Sequence, residues 1–206
     1  MNVDIVLYEG FDELDAVGPF EVFQNAAGAG ADCCARLVTL GSTDSVTASH
    51  GMCVAPDGTL PDPGASDAPD LLVVPGGGWN DRSAAGAWTE YERGAVPEAA
   101  AAQYDAGATV ASVCTGGMLL AAAGLLDGRP AVTHASALED LRETDAVVRE
   151  ERVVDDGRVV TAGGVTSGID LAFHLVAREF GEETATQVAT TLEYDRRDGR
   201  IATPDD

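Results

Sequence analysis

Residues 110–120 read VASVCTGGMLL, an apolar run that meets a cluster of small residues at a single cysteine. We interpret Thr109–Val113 as a buried strand and Thr115–Ala123 as the helix that follows it. A strand that leads directly into a helix is the repeating unit of α/β folds. The stretch therefore predicts a βα unit with Cys114 at its turn.

Similar short apolar runs recur along the chain, each followed by a longer segment with helical spacing. The predicted strands are Val3–Tyr8, Ala35–Leu40, Leu71–Pro75, Thr109–Val113 and Val159–Thr161. The predicted helices are Asp12–Ala27, Thr89–Ala106, Thr115–Ala123, Ser136–Glu143, Ser167–Phe180 and Glu182–Leu192. This alternation, in a chain with only 5% aromatic residues, predicts an α/β fold with a mostly parallel central sheet covered on both faces.

Two local features refine this prediction. Pro19 cannot donate a backbone hydrogen bond, so Gly18-Pro19 predicts a break or kink in the first helix. Residues 46–54 alternate in polarity around Gly51, which predicts a peripheral bent ribbon or hairpin. The length of 206 residues favours one domain, residues 1–206, with a polar tail from about residue 195.

The charge of the chain is strongly negative. It has 35 acidic and 12 basic residues, a formal net charge of −23, and every basic residue is Arg. Self-repulsion of this size destabilises a compact state unless salt screens it, so we hypothesise a halophilic protein. The same charge argues against binding to nucleic acid or to an anionic membrane.

The ends of the chain and its cysteines bound its location and chemistry. The N-terminus has no basic segment followed by a cleavable apolar one, which favours a cytoplasmic protein. The cysteines stand at positions 33, 34, 53 and 114, and they have neither the spacing of a zinc site nor that of a disulfide framework. We therefore expect no metal site and no cofactor.

The predicted position of Cys114 favours reactivity. It lies at the carboxyl edge of the sheet, where clefts form in open α/β folds, and at the amino end of a helix, which favours thiolate. At an ordinary pKa near 8.5 only about 3% of a thiol is ionised at pH 7, and near-complete ionisation needs about 3–4 kcal/mol. A helix end supplies about 0.3–1 kcal/mol, so further donors are required. On this segment alone, a buried structural cysteine remains the alternative.

A second strand end has the composition of an anion-binding turn. Residues 71–78 read LLVVPGGG, a buried strand followed by glycines that can present backbone N–H groups. If this strand lies beside the one that ends at Cys114, the two turns form an oxyanion hole. A glycine-rich loop without a ligand is the alternative.

Five ordered motifs together resemble the ThiJ/PfpI superfamily. They are Gly10–Phe23, Val74–Gly77, Ser112–Gly116, Thr133-His134 and Thr161–Asp170. The resemblance extends from Val3 to about Tyr194 and is strongest to the isonitrile hydratase-like branch. It implies a flavodoxin-like three-layer α/β/α sandwich of the class I glutamine amidotransferase-like type. It also implies a homodimer whose interface lies close to the nucleophile.

The resemblance also implies roles for individual residues. Cys114 matches the nucleophile of the family and Asp15 its partner carboxylate. Gly77 and Thr115 match backbone donors of the site, beside Gly76 in the same turn. Like-charge repulsion between a carboxylate and a thiolate raises both pKa values, so we expect a thiolate at rest, with one shared proton held mainly by Asp15.

His134 matches a family histidine near the site, where it either hydrogen-bonds a substrate or fills the pocket wall. Ala135 follows it in place of the aromatic residue that is frequent in the hydratase branch, so the pocket wall is expected to be more open.

The implied function is a cofactor-free hydratase or hydrolytic lyase that acts on a small electrophilic molecule, such as an isonitrile converted to an N-substituted formamide. The alternatives are a redox or stress sensor and an enzyme that acts on small aldehydes. A peptidase is disfavoured because Thr115 stands where peptidase-like members have a histidine. A regulator fused to a DNA-binding domain is not expected, because the sequence ends at Asp206.

Overall fold

A computed structural model describes residues 1–197 and 201–202, with a large central sheet between helices. Its strands are β1 (Asn2–Val6), β2 (Cys34–Thr39), β5 (Gly58–Thr59), β6 (Leu71–Val74), β7 (Thr109–Val113), β10 (Val153–Asp156), β11 (Val159–Ala162) and β12 (Ile201–Ala202). They lie in the order β12-β10-β11-β7-β6-β1-β2-β5. All neighbours are parallel except β10 and β11. The prediction of a mostly parallel sheet is confirmed.

Two further strand pairs lie outside this sheet. One is the hairpin of β3 (Val46–Thr47) and β4 (Cys53–Val54), which confirms the predicted ribbon around Gly51. The other pairs β8 (Pro130–Ala131) with β9 (Val147–Val148) in parallel.

Six of the seven described helices form two groups that pack on the sheet. The helices are α1 (Glu13–Gly28), α2 (Ala87–Arg93), α3 (Ala95–Asp105), α4 (Gly116–Ala122), α5 (Leu138–Arg142), α6 (Ser167–Phe180) and α7 (Glu182–Thr191), with a 3₁₀ turn at Ala135–Ala137. Helices α1, α6 and α7 pack together, and so do α2, α3 and α4. The result is the predicted three-layer α/β/α sandwich.

Buried apolar strands explain why the sheet lies at the centre. Every residue of β6 is buried, as are the last four residues of β7. Strands covered on both faces consist of such apolar runs. Because β6 and β7 are parallel neighbours, with Val74 opposite Ser112, the turns that follow them meet at one edge of the sheet.

The first helix differs from the prediction, because α1 runs without a break from Glu13 to Gly28 and contains Pro19. Proline removes one helical hydrogen bond, and here packing holds the helix together. A methyl group on Gly18 would lie 3.1 Å from the Ile169 side chain, and one on Gly168 would lie 3.5 Å from Pro19. These short contacts bring α1 and α6 close together.

The predicted helices over 89–106 and 136–143 are also corrected. The first is divided into α2 and α3 at Gly94, whose φ of +80° ends a helix without strain. The second begins as a 3₁₀ turn and continues as the short α5.

Strand β10 was not predicted, although its sequence carries a signal. Asp156 pairs with Val159 across a two-residue turn, in which Gly157 has φ +76°. Asp-Gly between two valine-rich runs is typical of a tight hairpin. The predicted polar tail lies partly outside the described residues, and within them Ile201–Ala202 pairs with β10. No helix in the described ranges is long and apolar enough to cross a membrane.

Candidate active site

Cys114 occupies the turn between β7 and α4 in a strained conformation. Its φ is +57°, a region that costs a residue with a side chain about 1–2 kcal/mol. Its N–H group donates to the carbonyl groups of Ala162 and Gly163, at 3.1 and 2.9 Å. Its own carbonyl oxygen accepts from Thr133 Oγ1 at 2.9 Å. Strain held by surrounding hydrogen bonds is typical of functional sites and of nucleophiles at strand-to-helix turns.

Burial controls the acidity of the Cys114 thiol, which is only 6% exposed. Burial and, to a smaller extent, the negative charge of the Asp15 carboxylate raise the pKa of Cys114 to about 12. Backbone N–H groups of Thr115 and Val165 hydrogen-bond the sulfur and lower that pKa in part. Two N–H donors at a helix end do not offset the loss of water around the sulfur, and this favours a thiol over the expected resting thiolate.

Asp15 lies on the first turn of α1 and is fully buried. Its Oδ2 atom accepts a hydrogen bond from the Gly76 N–H group at 2.9 Å, and Oδ1 has no hydrogen-bond partner of normal geometry. Burial, together with the negative charge of Asp12, raises the pKa of Asp15 to about 8, while Gly76 and the Cys114 thiol lower it in part. The carboxyl group is therefore protonated near neutral pH, as expected.

Together the two groups hold two protons at neutral pH, one more than expected. The first proton leaves the pair at a pH of about 8 and belongs to the coupled pair rather than to one residue. Between the two pKa values the pair holds a single proton, which either the sulfur or the carboxyl group carries. The form with a thiolate and a carboxylic acid is the one that combines a nucleophile with an acid.

The predicted oxyanion donors at Gly76 and Gly77 require a correction. Both glycines lie beside Thr115, since a methyl group on Gly76 would lie 2.5 Å from the Thr115 nitrogen. However, the Gly76 N–H group donates to Asp15, and the Gly77 N–H group donates to Thr115 Oγ1 at 3.0 Å. Protein oxygens thus already occupy both donors. The Gly76 and Gly77 N–H groups therefore position the Asp15 carboxyl group and the Thr115 hydroxyl group, and they are not available to an oxyanion.

Two residues near the sulfur were missed by the sequence analysis. Val165 contributes a backbone donor to Cys114. The type of side chain does not indicate such a role, so the sequence could not predict it. Tyr8 is buried and donates from its hydroxyl group to the Pro75 carbonyl at 2.5 Å. Burial and the nearby Asp15 and Cys114 hold the pKa of Tyr8 well above its usual value. Its aromatic ring at the end of a predicted strand gave no sign of this contact.

His134 lies half-buried between Thr133, which bonds the Cys114 carbonyl, and the 3₁₀ turn at Ala135–Ala137. A methyl group on Gly164 would lie 3.0 Å from Cδ2 of the His134 ring and 3.3 Å from Nε2. The ring therefore packs on the Gly163–Ser167 loop, which also carries Val165. The structure thus brings His134 to the neighbourhood of Cys114.

One group of side chains near the start of α1 has the composition of a metal site. Ligand atoms of Asp12, Glu13 and His50 all lie within 4.8 Å of one another. The Glu13 oxygens already accept from His50, Ser49 and the Met52 N–H group. Burial raises the pKa of Glu13, but these hydrogen bonds outweigh it and lower that pKa to about 2. The Glu13 carboxylate is therefore already occupied by groups from the β3–β4 hairpin, and these bonds connect α1 to that hairpin.

Access to the sulfur is narrow. A cleft of about 560 Å³ opens beside the site and is lined by Gly77, Asp12 and the 78–85 loop, but Cys114 does not line it. A reagent that reaches Cys114 in this conformation must have a slender reactive end.

A family model and several known proteins are similar to most of this chain. The sequence model of the DJ-1/PfpI family matches residues 1–178. An isonitrile hydratase from Pseudomonas putida is 34% identical over 199 residues, which cover 94% of this chain and 78% of the hydratase. The HTH-type transcriptional regulator CdhR from Pseudomonas aeruginosa is 32% identical over 188 residues, 89% of this chain and 52% of the regulator.

A solved structure shows the same fold. The crystal structure of a ThiJ/PfpI family protein from Pseudomonas syringae aligns with a TM-score of 0.80 and 28% identity, and the alignment covers 94% of this chain and 75% of that one.

Proposed function

The chain belongs to the DJ-1/PfpI family, and we propose that it hydrates small isonitriles to N-substituted formamides, with Cys114 as nucleophile and Asp15 as proton carrier. The observation that carries this proposal is the buried pair of these two residues at a strained turn. A carboxyl group with a pKa raised to about 8 can donate and accept protons near neutral pH.

The pair can supply the first two proton transfers of the reaction. The Cys114 thiolate attacks the terminal carbon of the isonitrile, and the Asp15 carboxylic acid gives its proton to the same carbon. The product is a thioimidate on the sulfur and a carboxylate at Asp15. Water then adds to that carbon while Asp15 takes one of its protons.

Collapse of this adduct completes the cycle. The net change is that the proton of the hydroxyl group moves to the nitrogen as the carbonyl forms and the C–S bond breaks. The formamide leaves, the thiolate returns, and Asp15 is again protonated. The sum is one isonitrile and one water converted to one formamide, with no oxidant or reductant consumed.

The narrow access to the sulfur favours this substrate class. An isonitrile presents a linear N≡C end, whereas an amide or peptide must bring a planar group with substituents on both sides of the carbonyl carbon. Cys114, 6% exposed, suits the first shape better.

A redox sensor is the main alternative function, because the chain is similar to a transcriptional regulator. Oxidation of cysteine by peroxide proceeds through the thiolate and follows exposure of the sulfur. Cys114 is only 6% exposed, which disfavours its oxidation by peroxide. Modification of Cys114 by micromolar peroxide, in a protein without turnover, would favour the sensor.

The proposal is tested by incubating the purified protein with cyclohexyl isocyanide in water enriched in oxygen-18. Molar KCl is included because of the net charge of −23. We expect N-cyclohexylformamide that carries one heavy oxygen, formed repeatedly per protein molecule, and none above background with heat-denatured protein. A folded protein that yields no formamide would refute the hydratase proposal.

A further inference from the structure

Ser136 holds the His134 ring in one orientation, and Asn80 in turn holds Ser136. The Ser136 N–H group donates to His134 Nδ1 at 3.1 Å, and Ser136 Oγ lies 2.6 Å from the same nitrogen. Asn80 Nδ2 in turn donates to Ser136 Oγ at 2.7 Å. Asn80 belongs to the loop after the Gly76–Gly78 turn, so this chain of hydrogen bonds links that loop to the ring.

The direction of these bonds determines which ring nitrogen carries the proton. A backbone N–H group can only donate, so Nδ1 must present its lone pair to Ser136. The Ser136 hydroxyl group accepts from the Asn80 amide and is free to direct its own hydrogen to Nδ1. A neutral imidazole has one N–H group, and in His134 that group is therefore at Nε2.

The Nε2 edge of the ring faces the loop that supplies a backbone donor to the nucleophile. Nε2 packs against Gly164, and the next residue, Val165, donates to the Cys114 sulfur. Thr133, on the other side of His134 in sequence, bonds the Cys114 carbonyl. The ring is thus held at Nδ1 by Ser136 and presents its Nε2–H donor on the side of the loop that carries Gly164 and Val165.

We propose that His134 acts as a proton donor through Nε2–H to the substrate nitrogen, and that Ser136 and Asn80 are positioning residues that fix this tautomer. The inference rests on the proposed function. When water adds to the thioimidate carbon, the C=N bond becomes single and the nitrogen must gain a proton. His134 supplies it from Nε2 and recovers a proton from the hydroxyl group as the carbonyl forms and the C–S bond breaks.

The tautomer can be observed without any substrate. Long-range proton–nitrogen NMR correlations distinguish a protonated from an unprotonated ring nitrogen, and the chain has only three histidines, so a His134→Gln sample assigns the signals. At alkaline pH we expect the neutral His134 ring to be protonated at Nε2 in the wild type. Protonation at Nδ1 would overturn the inference and leave the hydratase proposal intact.

Kinetics with cyclohexyl isocyanide tests the donor role. The amide nitrogen of glutamine lies near the position of Nε2, whereas that of asparagine lies near Nδ1. Neither amide can transfer a proton, so we expect both His134→Asn and His134→Gln to lower kcat by about 100-fold or more with little change in KM. His174→Gln serves as the control variant and should keep the wild-type rate. His174 lies on α6 and pairs with Asp155 on β10.

A kcat within about tenfold of the wild type in His134→Gln, whose amide nitrogen takes the place of Nε2, would indicate that the ring only fills space or hydrogen-bonds and would overturn the donor role. Absence of turnover in the wild type would refute the hydratase proposal, and the donor role with it, whereas the NMR result would still decide the tautomer.

Discussion

Replacing Cys114 with alanine is expected to lower kcat for formamide formation by at least about 10³-fold, to the rate of the reaction without protein. No other described side chain at the site can form the covalent thioimidate, and loss of a nucleophile removes the whole covalent route. The Asp15 carboxyl group remains in this variant, but it has no sulfur with which to act. The measurement is kcat and KM for cyclohexyl isocyanide in the wild type and in Cys114→Ala.

Cys53→Ala is the matched control, because it removes a free thiol that is exposed and far along the chain from the site. It should keep the wild-type rate, and circular dichroism should show that both variants are folded. A Cys114→Ala protein with more than about a tenth of the wild-type activity would contradict covalent catalysis by this residue.

The second large effect is expected from Gly116→Ala, at the first residue of α4. A methyl group there would lie 2.2 Å from the Val74 carbonyl oxygen and 2.8 Å from that of Pro75. Both contacts are with backbone, which cannot rotate away, so the end of β6 and the start of α4 must separate. We expect the free energy of unfolding to fall by about 3 kcal/mol or more, with loss of formamide formation. Urea unfolding measures the first effect.

Gly28→Ala is the matched control for this substitution. Gly28 is the last residue of α1, and a methyl group on it would meet nothing within 4 Å. Alanine is favoured over glycine in a helix by up to about 1 kcal/mol, so this variant should be as stable as the wild type or slightly more so. Equal stability of Gly116→Ala and Gly28→Ala would show that the close approach of β6 and α4 is not needed.

The sequence allowed the architecture to be predicted because βα units have strong local signals. Buried parallel strands are short and apolar, as in residues 71–74 and 109–113, and the helices between them are longer and periodic. The order of these elements, with the resemblance of five motifs, also predicted that Cys114, Asp15 and the glycine turn lie together. Strand β10 was missed although Gly157 indicates a turn, because residues 153–156 read VVDD and this apolar pair is followed directly by two aspartates.

Breaks within helices were harder to predict than the helices themselves. Pro19 indicated a break that packing against α6 prevents, whereas Gly94 carried no signal apart from its own freedom to adopt a positive φ. At Pro19, tertiary contacts override the local tendency to break a helix. At Gly94, the local preference for a positive φ ends the helix.

The chemistry of the site was predicted less well than the set of residues that form it. Sequence identified Gly76 and Gly77 as backbone donors, but only the structure shows that Asp15 and Thr115 occupy them. The acidity of Cys114 depends on the extent of its burial, which residue order does not reveal. Val165 acts through its backbone, and the His134 tautomer depends on hydrogen bonds from Ser136, so neither could be inferred from residue types.

The central claim is that Cys114 and Asp15 share their protons, and the pH dependence of Cys114 alkylation tests it most directly. The rate of modification by iodoacetamide is followed on the Cys114 peptide by mass spectrometry, with the exposed Cys53 as reference in the same samples. This measurement needs no knowledge of the substrate. It is made on the wild type and on Asp15→Asn, which keeps an acceptor for the Gly76 N–H group but cannot ionise.

In the wild type the rate should rise about tenfold per pH unit up to the first pKa of the pair, near 8, and then level off, because above it the one remaining proton is shared. In Asp15→Asn the levelling near pH 8 should disappear and the rate should continue to rise, since only the thiol titrates. A bend near pH 8 that persists in Asp15→Asn, or a wild-type rate that rises without a bend to pH 10, would contradict the shared-proton pair.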